Sequence, residues 1–249
     1  MKSTKINPKF ITKSNPRIGL IALGSDFRIE KDFNNVIYGR DIDLYVNRIH
    51  CYNPLTNEML AKMADDITDV TKDILPDQKI HCVAYGCTSG TIAAGYDLIE
   101  KNIKLAKPEA KVTTPITSAI KALKAFNISK ISVFTPYTKS INDSLISYFN
   151  KENITVNGLT YFDIESDLDI GKVDEEYLFE VLSKINLEGS EALFVSCTAL
   201  PVLSIIDKLE NKMNKVILSS NQTLIWESLN AVGCSNNVKG FGKLFNYKI

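Results

Sequence analysis

The chain has 249 residues, of which 45% are hydrophobic and 23% are charged, and its 29 basic residues balance its 29 acidic ones. This balance argues against a nucleic-acid-binding protein, because such proteins normally carry a basic excess that displaces counterions from phosphates. No apolar run reaches the roughly 18–20 residues that a membrane span needs, and residues 1–16 lack the apolar core of a secretion signal. We therefore expect a cytoplasmic globular protein that binds neither nucleic acid nor membranes.

Strand-like apolar runs alternate with helix-like amphipathic stretches along the whole chain. The predicted strands are 17–23, 43–48, 80–85, 130–134, 155–162, 192–196 and 216–219. The predicted helices are 57–71, 90–102, 116–126, 141–151, 175–185, 199–211 and 222–230. Regular alternation predicts an α/β fold with mainly parallel sheets, because parallel strands need a crossover connection, which is usually a helix.

Three motifs of the first half recur in the same order in the second. They are RIGLIALGSD (17–26) and KISVFTPYTKS (130–140), VAYGCTSGT (83–91) and LFVSCTALP (193–201), and VTTPITSAIKAL (112–123) and ILSSNQTLIWESL (217–229). Their separations are similar: 113 (130 − 17), 110 (197 − 87) and 106 (220 − 114) residues. Any α/β protein repeats strand–loop–helix units, but that does not explain a repeated Cys-Thr pair. We predict two pseudo-symmetric Rossmann-like lobes, 1–126 and 127–249, with part of the tail after Gly233 crossing back to the first lobe.

The repeated Cys-Thr pair follows a buried strand in each half, at the end of a parallel sheet where ligands bind. We expect a helix to begin directly after Cys87 and Cys197, so that its N-terminal N–H groups lower the thiol pKa from about 8.5. The same N–H groups, with the hydroxyls of Thr88, Ser89 and Thr198, would hold a substrate carboxylate. Two such thiols facing one cleft could move a proton across a carbon atom, or add to it, without a cofactor.

The other cysteines and the histidines suggest no further chemistry. Cys51, Cys82 and Cys234 have no partner motif, and we interpret them as small buried hydrophobic residues. The five cysteines include no Cys-x-x-Cys pair and there are only two histidines, so neither a zinc site nor a disulfide framework is expected. The phosphate-binding patterns GxGxxG and GxxxxGK[ST] do not occur. We therefore expect no metal and no nucleotide cofactor.

These motifs resemble those of the Asp/Glu racemase superfamily, in particular its maleate isomerase and arylmalonate decarboxylase branch. The resemblance is carried by YGCTSGT and SCTALP, together with RIGLIAL, PLTNEMLAKMADDI, FTPYT and SSNQTLIWESL. A narrower likeness, to the EutA proteins of ectoine utilisation, is carried by GLIALGSDFRIEKDF, YVNRIHCYNPLT and SSNQTLIW. The resemblance implies a cofactor-independent homodimeric enzyme with its active site between two lobes. It also implies that the Tyr137 hydroxyl contacts the substrate carboxylate.

The family pattern separates racemases and maleate isomerases, which use both cysteines, from decarboxylases, which keep only the second. Because both Cys87 and Cys197 are present, racemisation or isomerisation of a small carboxylate is favoured. Two alternatives stay open: a decarboxylase or carbon–carbon lyase that uses Cys197 alone, and a non-catalytic small-molecule binding protein.

Two departures from the maleate isomerase pattern concern the substrate. Asp26, after the first strand, and Asp167 stand where those enzymes typically have asparagines. Ser25, which precedes Asp26, is a further predicted substrate-binding residue. A carboxylate repels a second substrate carboxylate but pairs with an ammonium group. We therefore predict a substrate with a positively charged end, such as a 2,4-diaminobutyrate-like amino acid. The alternative is that both aspartates face solvent, cap helices or close turns.

Overall fold

The computed structural model of the chain describes residues 3–234 and 238–247. Within them, eight strands form two parallel four-stranded sheets. The first sheet contains β1 (Arg17–Leu23), β2 (Asp43–Ile49), β3 (Cys82–Tyr85) and β4 (Lys111–Thr113) in the order β2-β1-β3-β4. The second contains β5 (Lys130–Thr135), β6 (Thr155–Tyr161), β7 (Ala192–Val195) and β8 (Val216–Ser219) in the order β6-β5-β7-β8. The two sheets thus have the same topology, as an internal repeat predicts, and the predicted fold class is confirmed.

Helices flank both sheets. Those of the first repeat are α1 (Ile29–Ile37), α2 (Asn57–Lys62), α3 (Ile67–Lys72), α4 (Thr88–Ala94), α5 (Tyr96–Ala106) and α6 (Pro115–Ala125). Those of the second are α7 (Lys139–Lys151), α8 (Asp167–Ile170), α9 (Glu175–Ser183), α10 (Ile206–Met213) and α11 (Ser220–Ala231). Short 3₁₀ turns lie at Met63–Asp66, Leu203–Ile205 and Lys243–Asn246. None of the helices in the described residues is long and apolar enough to cross a membrane.

The burial of the strands explains their sequences. Every residue of β3 and β7 is buried, which is why CVAY and ALFV read as continuous apolar runs, since helices cover both faces of a parallel sheet. The edge strands β2 and β6 are mostly half-buried or exposed and are correspondingly more polar. The two Cys-Thr pairs therefore lie at the carboxyl ends of two fully buried strands.

Three elements were missed from the sequence, and one helix was predicted to begin too early. The missed elements are α1, whose charged residues obscure a stripe of buried apolar side chains, and the short elements β4 and α8. A helix was predicted from residue 199, but the chain turns there and α10 begins only at Ile206. Pro201 accounts for the delay, because the residue before a proline is disfavoured in helical conformation.

The two repeats meet along α6 and α11, which pack against each other. Across this interface the hydroxyls of Thr113 and Ser228 lie 2.9 Å apart, and Ser118 donates a 2.5 Å hydrogen bond to Glu227. Residues of the tail approach this region, where the Tyr247 ring lies 4.3 Å from that of Phe126. The division of the chain near residue 126 stays a prediction.

Candidate active site

The two Cys-Thr turns meet directly at the carboxyl ends of β3 and β7. The Thr198 hydroxyl donates a 3.2 Å hydrogen bond to the carbonyl of Gly86, which precedes Cys87. Ser220, the first residue of α11, bridges the turns: its Oγ accepts the Cys197 N–H at 3.0 Å and lies 2.8 Å from the Thr88 hydroxyl. The structure therefore brings together the two motifs that the sequence places 110 residues apart (197 − 87).

Cys87 caps the N-terminus of α4, as the sequence predicts. Its Sγ accepts the Gly90 N–H at 3.2 Å and lies 3.8 Å from the Ser89 hydroxyl. Gly90 is required for this approach, since a Cβ there would lie 2.8 Å from the sulfur and 2.9 Å from the Tyr85 hydroxyl. A helix N-terminus, a hydroxyl and a thiol thus lie at one point, where a carboxylate could also be held.

Cys197 has a different backbone conformation from its counterpart. Its φ of 105° lies in the left-handed region that side chains rarely adopt, and such strain persists only where the surrounding structure enforces it. No α-helix begins directly after it, so the predicted helix N-terminus at this thiol is wrong. Against the effect of burial, the Ala199 N–H and the Tyr137 hydroxyl lower the pKa of the Cys197 thiol.

The predicted lowering of both thiol pKa values is also wrong for the unliganded protein. Burial raises the pKa of Cys87 to about 12, against the opposing effect of the Gly90 N–H. Burial also holds the pKa of Cys197 well above its ordinary value, and the negative charge of Asp167 adds to this effect. The sequence identifies the N–H donors but not the degree of desolvation, which dominates here.

Tyr137 is the aromatic residue that interacts with both thiols. It is buried, accepts a 3.4 Å hydrogen bond from the Ser196 hydroxyl and is within electrostatic reach of both Cys197 and Cys87. Burial raises its pKa well above the ordinary value, so the phenol stays protonated and can donate to an anion.

The carboxylates form the other side of the site. Asp167 accepts a 2.5 Å hydrogen bond from the Ser25 hydroxyl, and burial raises its pKa to about 6.

Asp26 is fully buried, and its Oδ1 accepts the N–H groups of Arg28 at 2.7 Å and Ile29 at 3.0 Å. This oxygen therefore caps the start of α1, which is one of the alternatives to substrate binding. The other oxygen, Oδ2, meets no donor in hydrogen-bonding geometry among the described residues. Burial raises the pKa of Asp26, against the opposing effects of the two N–H groups, the Thr198 side chain and the Arg48 charge.

Cys51 belongs to this cluster, although its sequence context predicts an ordinary core residue. It follows β2 by two residues, and the Ser25 side chain and the charges of Asp167 and Asp26 act on its thiol. Burial raises the pKa of Cys51 to about 11. Its position just beyond the carboxyl end of a parallel strand was a signal that could have identified it.

The site is closed by contacts between the segment 163–171 and the first repeat. The Leu55 N–H donates to the Glu165 carbonyl at 3.0 Å, and the Arg28 guanidinium donates to the Gly171 carbonyl at 3.0 and 2.8 Å. Cys87 is 3% exposed and Cys197 6%, so both thiols are shielded from solvent in this structure. Among the described residues no group of three or more His, Cys, Asp or Glu could hold a metal ion.

Comparisons with known proteins agree with this architecture. The maleate isomerase of Alcaligenes faecalis is 23% identical over 243 residues, which cover 92% of this chain and 96% of that protein. The crystal structure of the maleate isomerase Iso from Pseudomonas putida S16 superposes with a TM-score of 0.83 at 20% identity, covering 92% and 98% of the two chains. A Nocardia farcinica maleate cis-trans isomerase mutant, with a covalently bound succinylcysteine intermediate, gives a TM-score of 0.84 at 17% identity with the same coverage. At these identities the solved structures show a shared fold.

A sequence model of one family matches most of the chain. The arylmalonate decarboxylase family model matches residues 50–245, which include both Cys-Thr pairs, Tyr137 and Asp167. The chain belongs to the arylmalonate decarboxylase family.

Proposed function

We propose that this protein is a cofactor-independent isomerase of a small carboxylate, with Cys87 and Cys197 as its two catalytic residues. The observation that carries the proposal is the direct meeting of the two Cys-Thr turns, which Ser220 bridges from α11. The maleate isomerases to which the chain is similar support it, and one of them has been observed with a covalently bound succinylcysteine intermediate. The retention of both cysteines supports isomerisation over a decarboxylation that needs only Cys197.

The substrate we propose carries an ammonium group as well as a carboxylate. Asp26 has a buried oxygen without a hydrogen-bond partner among the described residues, and Asp167 is nearly as deeply buried. The positive charge of Arg48 lowers the pKa of Asp26 less than burial raises it, so a substrate ammonium group would further compensate these buried carboxylates. A diamino acid such as 2,4-diaminobutyrate fits this requirement. The ectoine-utilisation motifs support the same choice, since such a compound is an expected product of ectoine breakdown.

For a saturated amino acid the reaction is a proton transfer. One thiolate removes the proton on the carbon next to the carboxylate, and the electrons of the broken C–H bond move into the carboxylate to give an enediolate. The hydroxyls of Thr88, Ser89 and Tyr137 are the proposed donors to its oxygens, joined by that of Thr198 once its bond to the Gly86 carbonyl is given up. Such donors stabilise developing negative charge. The second thiol then gives its proton to the opposite face, forms the new C–H bond and is left as the thiolate.

The test measures racemisation and solvent exchange together. Each enantiomer of 2,4-diaminobutyrate is incubated in D₂O with the wild type, Cys87→Ser or Cys197→Ser, and both deuterium incorporation and inversion are recorded. We expect each variant to lose inversion by a factor of about 10²–10⁴. In each variant, deuterium incorporation is expected for at most one enantiomer. This is the enantiomer whose proton on the carbon next to the carboxylate faces the remaining thiol.

Cys82→Ser is the matched control, because Cys82 is equally buried but contacts Thr113 instead of the site (3.7 Å). Its activity stays near that of the wild type. Inversion that survives Cys87→Ser but not Cys197→Ser would replace the proposal with the single-thiol mechanism. Binding without exchange by the wild type would indicate a non-catalytic binding protein, and efficient isomerisation of maleate would refute the ammonium-bearing substrate.

A further inference from the structure

We propose that Ser220 is a positioning residue that couples the two Cys-Thr turns. Its hydroxyl links the Cys197 backbone of the second repeat to the Thr88 hydroxyl of the first through hydrogen bonds that polarise one another. This inference rests on the proposed function for its catalytic consequence. Ser220 is fully buried at the first position of α11, and its hydroxyl is in contact with the Cys197 backbone and the Thr88 side chain at once.

The proposed chain runs from Cys197 through Ser220 to Thr88. A backbone N–H can only donate, so the Ser220 oxygen accepts from Cys197. Either hydroxyl of the Ser220–Thr88 pair can be the donor, and the chain requires that Ser220 donates. Thr88 then accepts from Ser220 and turns its own proton outward, where it can donate to a substrate carboxylate. Each donor in such a chain polarises the next. The Cys197 N–H of the second repeat therefore strengthens the hydrogen bond that Thr88 of the first repeat donates to the carboxylate.

Ser220 also helps to hold the strained conformation of Cys197. With φ at 105°, the Cys197 backbone would relax if it were unrestrained. Ser220 fixes its N–H, and the neighbouring Asn221 donates a 2.8 Å hydrogen bond to the Thr198 carbonyl. The first two residues of α11 therefore bind both ends of the Cys197–Thr198 segment.

In the first repeat no residue takes the place of Ser220. By position in the helix its counterpart is Pro115, the first residue of α6, whose side chain has no hydrogen-bonding group. Thr114, which the repeated motifs align with Ser220, lies one residue earlier, and its hydroxyl contacts that of Thr117 at 2.8 Å.

Cys87 is instead supported by the N-terminus of its own helix, through Gly90. The two thiols thus have unequal support inside a pseudo-symmetric fold, and only the support of Cys197 depends on Ser220.

The experiment compares Ser220→Ala with Ser228→Ala. Ser228 is a matched control, because it lies on the same helix, is fully buried and also contacts a threonine of the first repeat, Thr113 at 2.9 Å. Iodoacetamide labelling of each thiol is followed by peptide mass spectrometry without substrate, and kcat and KM are measured with 2,4-diaminobutyrate. Ser220→Thr, which keeps the hydroxyl, is the rescue variant.

Ser220→Ala is expected to change the labelling rate of Cys197 about fivefold or more while that of Cys87 changes less than twofold, and to lower kcat about tenfold. Ser220→Thr restores the Cys197 labelling rate and kcat towards the wild type. Ser228→Ala leaves the labelling ratio, the Cys197 rate divided by the Cys87 rate, unchanged. Equal effects of Ser220→Ala and Ser228→Ala, or an unchanged labelling ratio in Ser220→Ala, would overturn the inference. The labelling test is independent of turnover, so it separates a failure of this inference from a failure of the proposed function.

Discussion

Replacing Asp167 with asparagine should stabilise the protein and the gain should grow with pH. Burial, partly opposed by the Ser25 hydrogen bond, raises the pKa of this carboxyl from 3.8 to about 6. Between these values the folded protein binds more protons than the unfolded chain, so the ionised carboxylate lowers stability as pH rises. At about 1.4 kcal/mol for each pKa unit, the penalty is about 1 kcal/mol at pH 4.5 and about 3 kcal/mol at pH 8. An asparagine avoids it and can still accept the Ser25 proton.

The measurement is urea denaturation of the wild type and Asp167→Asn at pH 4.5 and pH 8. Asp169→Asn is the control, since Asp169 lies on the same short helix but is exposed and pairs with Lys172 at 2.7 Å. The control should show no comparable gain. A destabilised Asp167→Asn at pH 8, or a gain of equal size at both pH values, would refute the reasoning. The same variant should turn over 2,4-diaminobutyrate more slowly, because the proposed ammonium partner is lost.

Two further predictions concern the first Cys-Thr turn. Gly86→Ala should lower the free energy of unfolding by about 1–3 kcal/mol in urea denaturation. The added Cβ would lie 2.6 Å from the Ile29 side chain and 3.1 Å from the Ile21 carbonyl oxygen. An unchanged free energy of unfolding would contradict this close packing. Since burial raises the pKa of Cys87 to about 12, its labelling by iodoacetamide in the unliganded protein should accelerate about tenfold per pH unit between pH 7 and 9. A plateau in that range would show that the thiol is more acidic.

The fold was largely readable from the sequence because its signals are local or repeated. The buried strands β3 and β7 have continuous apolar sequences, and the parallel topology then brings Cys87 and Cys197 to the same edge of their sheets. The backbone details were not readable. Pro201 delays α10, and Cys197 adopts a positive φ that no residue pattern announces.

The missed site residues are those that act through contacts distant in sequence. Ser220 lies 132 residues from its partner Thr88, and the position of Cys51 beside Ser25 and Asp167 depends on how two loops of different repeats close. The thiol pKa values were misjudged for a related reason. The stabilising N–H of Gly90 is encoded locally, whereas the desolvation of Cys87 is produced by the packing of both repeats.

The buried carboxylates and the raised thiol pKa values have a joint explanation in the proposed substrate. After desolvation, the charge of Asp167 contributes most to raising the pKa of Cys197, and Asp26 adds to it. An ammonium group between these carboxylates would cancel their effect and lower the pKa of Cys197. A dicarboxylate such as maleate would add negative charge at the same place and raise that pKa further. If the proposed substrate is correct, the acidic residues would select for it twice, in binding and in thiol ionisation, through Coulomb interactions in a desolvated site.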